Sequence, residues 1–82
     1  MQVYYVYALV SKIDGRIYVG ISENPEKRLI EHNLGKTKST KGYIPWELFF
    51  IRAFKTRIEA REYEKYYKTG SGKEKLKSLL AP

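Results

Sequence analysis

Five side chains in this 82-residue sequence could do chemistry together. Tyr7 and Tyr18 lie on neighbouring predicted strands, Arg28 and His32 are one helical turn apart, and Glu64 interrupts an apolar helix stripe. A phenol, with an ordinary pKa of about 10, becomes a useful base only where cations draw that value down. A guanidinium is the side chain whose planar fork of donors best matches a phosphate, and an adjacent imidazole can hydrogen-bond or exchange a proton near neutrality. Acidic side chains are seldom buried without a partner, so Glu64 is either salt-bridged or reserved for something such as a metal ion. The plain alternative for it is a Glu64–Lys68 pair at i, i+4, and Glu62 takes over the role if the helix phase is shifted. Arg28 and His32 have their own plain alternative, a solvated helix face, with Lys27 a bystander.

The charge balance points the same way. Sixteen Lys and Arg against nine Asp and Glu give a formal charge of +7, a strong excess for so small a body. Phosphate backbones reward such charge by counterion release, so nucleic acid is the first expected partner and an anionic membrane surface the second. Cysteine is absent, which excludes a disulfide scaffold, a thiolate zinc site and thiol catalysis, and suits a reducing cytoplasm. His32 is the only histidine and cannot build a multi-histidine metal site. The alternating start, Val3-Tyr4-Tyr5-Val6, predicts no signal peptide, and no window has the apolar length of a membrane span. One domain over residues 1–82, monomeric and cytoplasmic, is expected.

The elements that must position these residues follow from pattern. Val3 to Val10 is rich in β-branched and aromatic residues and predicts a first strand, with Ser11 to Gly15 as the connection. Arg16 to Ile21 is the second. Its period of two puts Ile17, Val19 and Ile21 on one face and Arg16, Tyr18 and Gly20 on the other, the more polar one. Asn24-Pro25 supplies an N-cap and a first-turn proline for a helix over about 25–34, which Gly35 closes. After a basic loop, 36–44, the stretch WELFFIRAF predicts a buried third strand, 46–54. Thr56 caps a second helix, about 57–68, with Ala60, Tyr63, Glu64 and Tyr67 along one stripe. Gly70 ends it, and Ser71 with Glu74 forms a capping box for a third helix carrying Leu76, Leu79 and Leu80. The order ββαβαα predicts an α+β domain, a small antiparallel sheet with helices packed on it.

The hairpin register decides how the tyrosines meet. With Asp14-Gly15 as the two central residues of a tight turn, Tyr7 falls opposite Ser22 and lies roughly 13 Å from Tyr18 along the strands. A loop from Ser11 to Asp14 instead puts Tyr7 directly opposite Tyr18. In both, the phenols share a face with Arg16 and Gly20, and Gly20 would let a ligand approach the backbone. The loop KTKSTKG offers Lys36, Lys38 and Lys41 with the hydroxyls of Thr37, Ser39 and Thr40, either a phosphate grip or a solvated loop. Arg16, Lys36, Lys38, Thr40 and Lys41 are the expected nucleic-acid contacts. The GxxxxGK[ST] order of a nucleotide-binding loop is missing, so nucleotide hydrolysis is not expected.

Together these segments resemble the GIY-YIG endonucleases. YVY (Tyr5-Val6-Tyr7) and YVG (Tyr18-Val19-Gly20) match the two halves of the family's name motif. NPEKRLIEHNLGKTKSTKG, PWEL and EAREYEKYYKTGSGKEKL look like the corresponding segments of small stand-alone bacterial members, so the resemblance runs from about Val3 to Leu80. It implies a three-stranded antiparallel sheet flanked by helices, a single divalent ion (Mg²⁺ or Mn²⁺), and hydrolysis of DNA in repair or recombination. Carried onto this chain, Tyr7 and Tyr18 are the motif tyrosines, Arg28 the helix arginine, His32 a frequent histidine one turn later, and Glu64 the metal ligand. The resemblance also favours the register that brings the tyrosines together. Tyr18 is then the general base that activates water and Tyr7 positions it, the reverse assignment staying open. Arg28 stabilises charge at phosphorus, and His32 orients a tyrosine or the phosphate.

Two positions depart from the family pattern: Tyr5 replaces the glycine of the first motif, and Ile21 stands where some relatives carry a lysine. The targeting domain usual in the family is also not expected within these residues. A non-catalytic nucleic-acid-binding module on the same scaffold is therefore the competing expectation.

Overall fold

A computed structural model describes residues 2–81, and the ends of the expected domain, Met1 and Pro82, lie outside the described residues. Its elements are β1 (Tyr4–Ser11), β2 (Ile17–Ser22), α1 (Pro25–Asn33), β3 (Trp46–Phe54), α2 (Arg57–Tyr67) and α3 (Gly70–Leu80), the expected ββαβαα order. A short 3-10 turn, Lys41–Tyr43, interrupts the loop before β3. The sheet has the strand order β2-β1-β3 and is antiparallel throughout.

Apolar content decides which strand is central. β1 carries apolar side chains at both alternating sets of positions, so it is stable only where both faces are covered. Val6 and Ala8 point into a cluster with Val19, Phe54, Ala60, Tyr67 and Leu76, the layer under α2 and α3. Tyr7 and Leu9 point the other way, into a second cluster with Trp46 that Tyr18, Leu29, Tyr43, Ile44 and Leu48 enclose. The face expected to be polar is thus a second core, because α1 and the loop that follows it cover it.

Local chemistry fixes the helix ends. The Asn24 side chain accepts from the Lys27 N–H at 3.2 Å, and Gly35 at φ +78° turns the chain out of α1. Thr56 caps α2 by accepting from the Glu59 N–H at 3.2 Å. The third helix differs from expectation: Thr69, not Ser71, is its N-cap, accepting from the Gly72 N–H at 3.2 Å, and Gly70 opens the helix. Gly72 has to be bare, since a Cβ there would lie on the Tyr66 carbonyl oxygen and 2.6 Å from the Tyr67 Cα. Of the three leucines, only Leu76 is buried; Leu79 and Leu80 face outward.

The hairpin adopts neither expected register. Ser11 pairs with Arg16 through a 2.9 Å backbone bond, and Lys12 to Gly15 form the loop, closed by the Gly15 N–H on the Ser11 carbonyl. Gly15 sits at φ +77°, a left-handed conformation that glycine adopts without steric cost. Tyr7 is therefore opposite Gly20, and Tyr18 opposite Leu9, two pairs further toward the turn.

Candidate active site

This register makes Tyr7 and Tyr18 diagonal neighbours on one face, their ring centroids 6.3 Å apart. The end of the Tyr7 ring lies over Gly20: a Cβ there would stand 2.6 Å from the phenol oxygen and 2.7 Å from Cζ. The glycine makes room for a tyrosine of this chain, which corrects the expectation that it opens the backbone to a ligand. Gly20→Ala should accordingly cost about 1–3 kcal/mol as an overpacked core site. Denaturant unfolding checks this, and an unchanged midpoint would show that Tyr7 is not held there.

Helix α1 brings Arg28 and His32 to the same place, one turn apart. His32 is completely buried, its Nε2 3.1 Å from the Tyr7 phenol oxygen and its Nδ1 2.8 Å from Thr40 Oγ1. Its ring centroid is 4.8 Å from that of Tyr18, which also meets Trp46 edge-on at 6.4 Å. Burial, reinforced by the Arg28 charge and opposed by Glu31, holds the imidazole pKa below its ordinary value, so His32 is neutral at pH 7. As pH falls below about 6.5, the unfolded chain takes up a proton that the folded chain resists, and stability falls with pH. His32→Gln should flatten this acid limb. Unfolding midpoints at pH 7 and pH 5 measure the difference.

Tyr7 is just as buried. Burial pushes its pKa up to about 12, with the Arg28 guanidinium pulling down and the charges of Tyr18 and Glu64 adding to the rise. Arg28 is about one-third exposed and paired with the Glu31 carboxylate at i+3, which that contact holds below the usual carboxylate range. Tyr18 is only partly buried and is the phenol that solvent can reach.

Glu64 comes from the other side of the sheet, on α2, and its charge reaches Tyr7. Its side chain is 16% exposed and 3.4 Å from Lys68 Nζ, so the expected i, i+4 pair is present. Glu62 is exposed. Among the described residues no group of three or more His, Cys, Asp or Glu could hold a metal. A single, largely sheltered carboxylate does not cage an ion, but it does fit Mg²⁺ or Mn²⁺, which keep waters and complete their shell on substrate phosphates.

The expected nucleic-acid contacts divide. Lys36, Lys38 and Lys41 are exposed, and none joins an ion pair among the described residues. Arg16 is committed elsewhere, paired with Asp14 at 2.9 Å and stacked 3.5 Å over the Tyr43 ring. Thr40 is a correction: it is 1% exposed, and it turns inward to His32 because the 3-10 turn folds the loop back under α1. The Trp46 indole N–H donates to the Thr40 carbonyl at 2.9 Å and fixes it there. Asn33 was not expected to act. Its side chain accepts from the Trp46 N–H at 2.7 Å and donates to the Trp46 carbonyl at 3.0 Å, pinning the end of α1 to the start of β3. Its place beside His32 in EHN was the one available signal.

An α+β sheet holding a tyrosine pair, a helix arginine and a glutamate from a second helix defines a class of nuclease domain, and the chain belongs to the GIY-YIG family. The GIY-YIG catalytic domain matches residues 3–77. A UPF0213 protein of Bacillus licheniformis is 41% identical over 73 residues, covering 88% of this chain and 74% of that one. One from Staphylococcus saprophyticus is 40% identical over 96% of each. The structure-specific endonuclease subunit slx1 of Xenopus laevis is 39% identical over 76% of this chain, but only 24% of its own length is matched. The solution structure of the UPF0213 protein of Bacillus halodurans has the same fold, with a TM-score of 0.57, 36% identity and coverage of 94% of this chain and 84% of that one. No described helix is long and apolar enough to cross a membrane.

Proposed function

We propose that this chain is a metal-dependent endonuclease that hydrolyses phosphodiester bonds in DNA. The observation that carries the proposal is the joint placement of Tyr7, Tyr18 and His32 in one cluster, with the charges of Arg28 and Glu64 both acting on Tyr7. Tyr18, which solvent reaches, loses its own proton to solvent and as phenolate takes the proton of the attacking water, and the water oxygen forms the new P–O bond as the bridging ester oxygen leaves. Tyr7, behind it, positions the water. Arg28 faces the charge that develops on phosphorus. Glu64 would hold Mg²⁺ or Mn²⁺, which supplies stabilisation of the leaving oxygen. Lys36, Lys38 and Lys41 contact the flanking backbone. The name of the Xenopus relative, a structure-specific endonuclease subunit, supports a substrate recognised by its structure; if that substrate is branched DNA, the reaction belongs to DNA repair or recombination.

A second reading, a nucleic-acid-binding module without turnover, is favoured by one feature: both key charges are already paired within the chain, Arg28 with Glu31 and Glu64 with Lys68. Nicked, flapped and branched DNA incubated with Mg²⁺ or Mn²⁺, against a chelator control, separates the two. Cleavage that needs metal is expected. Salt-sensitive binding with no cleavage of any substrate would establish the second reading.

A further inference from the structure

The buried side of the site holds a hydrogen-bonded chain whose direction decides what Tyr7 can do. Thr40 Oγ1 lies 2.8 Å from His32 Nδ1, and His32 Nε2 lies 3.1 Å from the Tyr7 oxygen. Two directions are open to it. Either Nδ1–H donates to Thr40 and Tyr7 donates to Nε2, or the Thr40 hydroxyl donates to Nδ1 and Nε2–H donates to Tyr7.

The place where the Thr40 proton can go selects the second. Its other acceptor is the Thr37 carbonyl at 3.3 Å, and that oxygen already accepts the N–H groups of Thr40 at 3.1 Å and of Lys41 at 3.0 Å. A carbonyl has two lone pairs, so the shorter bond to Nδ1 takes the hydroxyl proton.

We infer that Thr40 is a positioning residue of this site: its hydroxyl donates to His32 Nδ1 and holds the imidazole as the Nε2–H tautomer, which donates to Tyr7. The Tyr7 oxygen is then an acceptor from His32, and its own O–H is left to donate a hydrogen bond on the side away from His32, to the oxygen of Tyr18 or of a water held between them. In the opposite direction that proton would be locked against His32. Thr40 stays in place because Trp46 holds its carbonyl, so the basic loop and the tyrosine pair form one unit. The consequence for catalysis rests on the nuclease reading above; the tautomer does not.

The test is the pair of imidazole ¹⁵N shifts of His32, read by long-range ¹H–¹⁵N correlation in metal-free protein without nucleic acid, for the natural chain, Thr40→Ser and Thr40→Val. Nε2–H is expected in the natural chain and in Thr40→Ser, and loss of that single tautomer in Thr40→Val. Cleavage should fall at least tenfold in kcat for Thr40→Val with KM unchanged, and return in Thr40→Ser. An Nδ1–H tautomer in the natural chain overturns the inference even if Thr40→Val does not fold, and so does a Thr40→Val protein that keeps Nε2–H. If the natural chain shows Nε2–H but cuts no DNA, the nuclease reading fails while the tautomer assignment stands.

Discussion

Arg28→Ala is expected to slow cleavage by about two to three orders of magnitude, the usual cost of removing one donor aimed at developing charge. Arg28 is the guanidinium whose charge acts on Tyr7, whereas Arg16 is held by Asp14 and Tyr43, and Arg52 lies against Phe54 and Tyr63 in the opposite layer. The loss should fall on kcat and leave the fold nearly intact. Arg28 touches Glu31 in a partly exposed pair, which solvent screens and which contributes little to stability. Arg28→Lys keeps the charge but not the planar fork, so its rate should lie between those of the natural chain and Arg28→Ala. Glu31→Gln releases the guanidinium for phosphate and should not slow the reaction. Single-turnover rates on one branched substrate measure all three, with thermal unfolding as the control. A well-folded Arg28→Ala protein that cleaves at the natural rate would exclude Arg28 from the reaction.

Glu64→Ala should remove metal-dependent cleavage by a similar or larger factor, because stabilisation by a bound divalent ion is worth several kcal/mol. With one carboxylate and no His, Cys, Asp or Glu cluster among the described residues, metal affinity without nucleic acid should be weak and should strengthen when phosphate oxygens join the shell. Lys68 now competes for the same oxygens at 3.4 Å. Lys68→Ala should therefore lower the Mg²⁺ or Mn²⁺ concentration for half-maximal rate by a few-fold, the scale of an exposed ion pair. DNA binding in chelator should survive Glu64→Ala. Metal titration followed at the α2 amides, with and without DNA, checks the order of assembly. Equal metal dependence in the natural chain and Glu64→Ala would place the ion elsewhere.

The sequence determined the parts whose causes are local. Element order and most boundaries follow from hydrophobic period and from caps such as Asn24, Thr56 and Gly35, and β3 spans the residues that WELFFIRAF predicts, but as an edge strand with Glu47, Ile51, Arg52 and Ala53 exposed, not as the buried strand expected. The third helix shows the limit of local signals. Ser71 with Glu74 satisfies a capping box on paper, but Thr69 caps the helix once Gly72 has to lie against the backbone of Tyr66 and Tyr67. That contact pairs two helices and is not encoded within one.

Tertiary structure alone decided the geometry of the site. One strand face looked polar because Arg16, Tyr18 and Gly20 share it, yet α1 and its loop bury that face, and the charge of Arg16 is spent on Asp14 and Tyr43 at the rim. The register depended on which residue takes the left-handed turn position, and it set Tyr7 over Gly20 rather than opposite Tyr18 or Ser22. Thr40, in a run of lysines and hydroxyls, read as a surface contact; its direction comes from the fold of the loop, which no periodicity records. Residue types and their order along the chain specified which chemistry was available. Which group donates to which, and which charge is already paired, depends on distances across three segments far apart in sequence, and those exist only once both faces of β1 are covered.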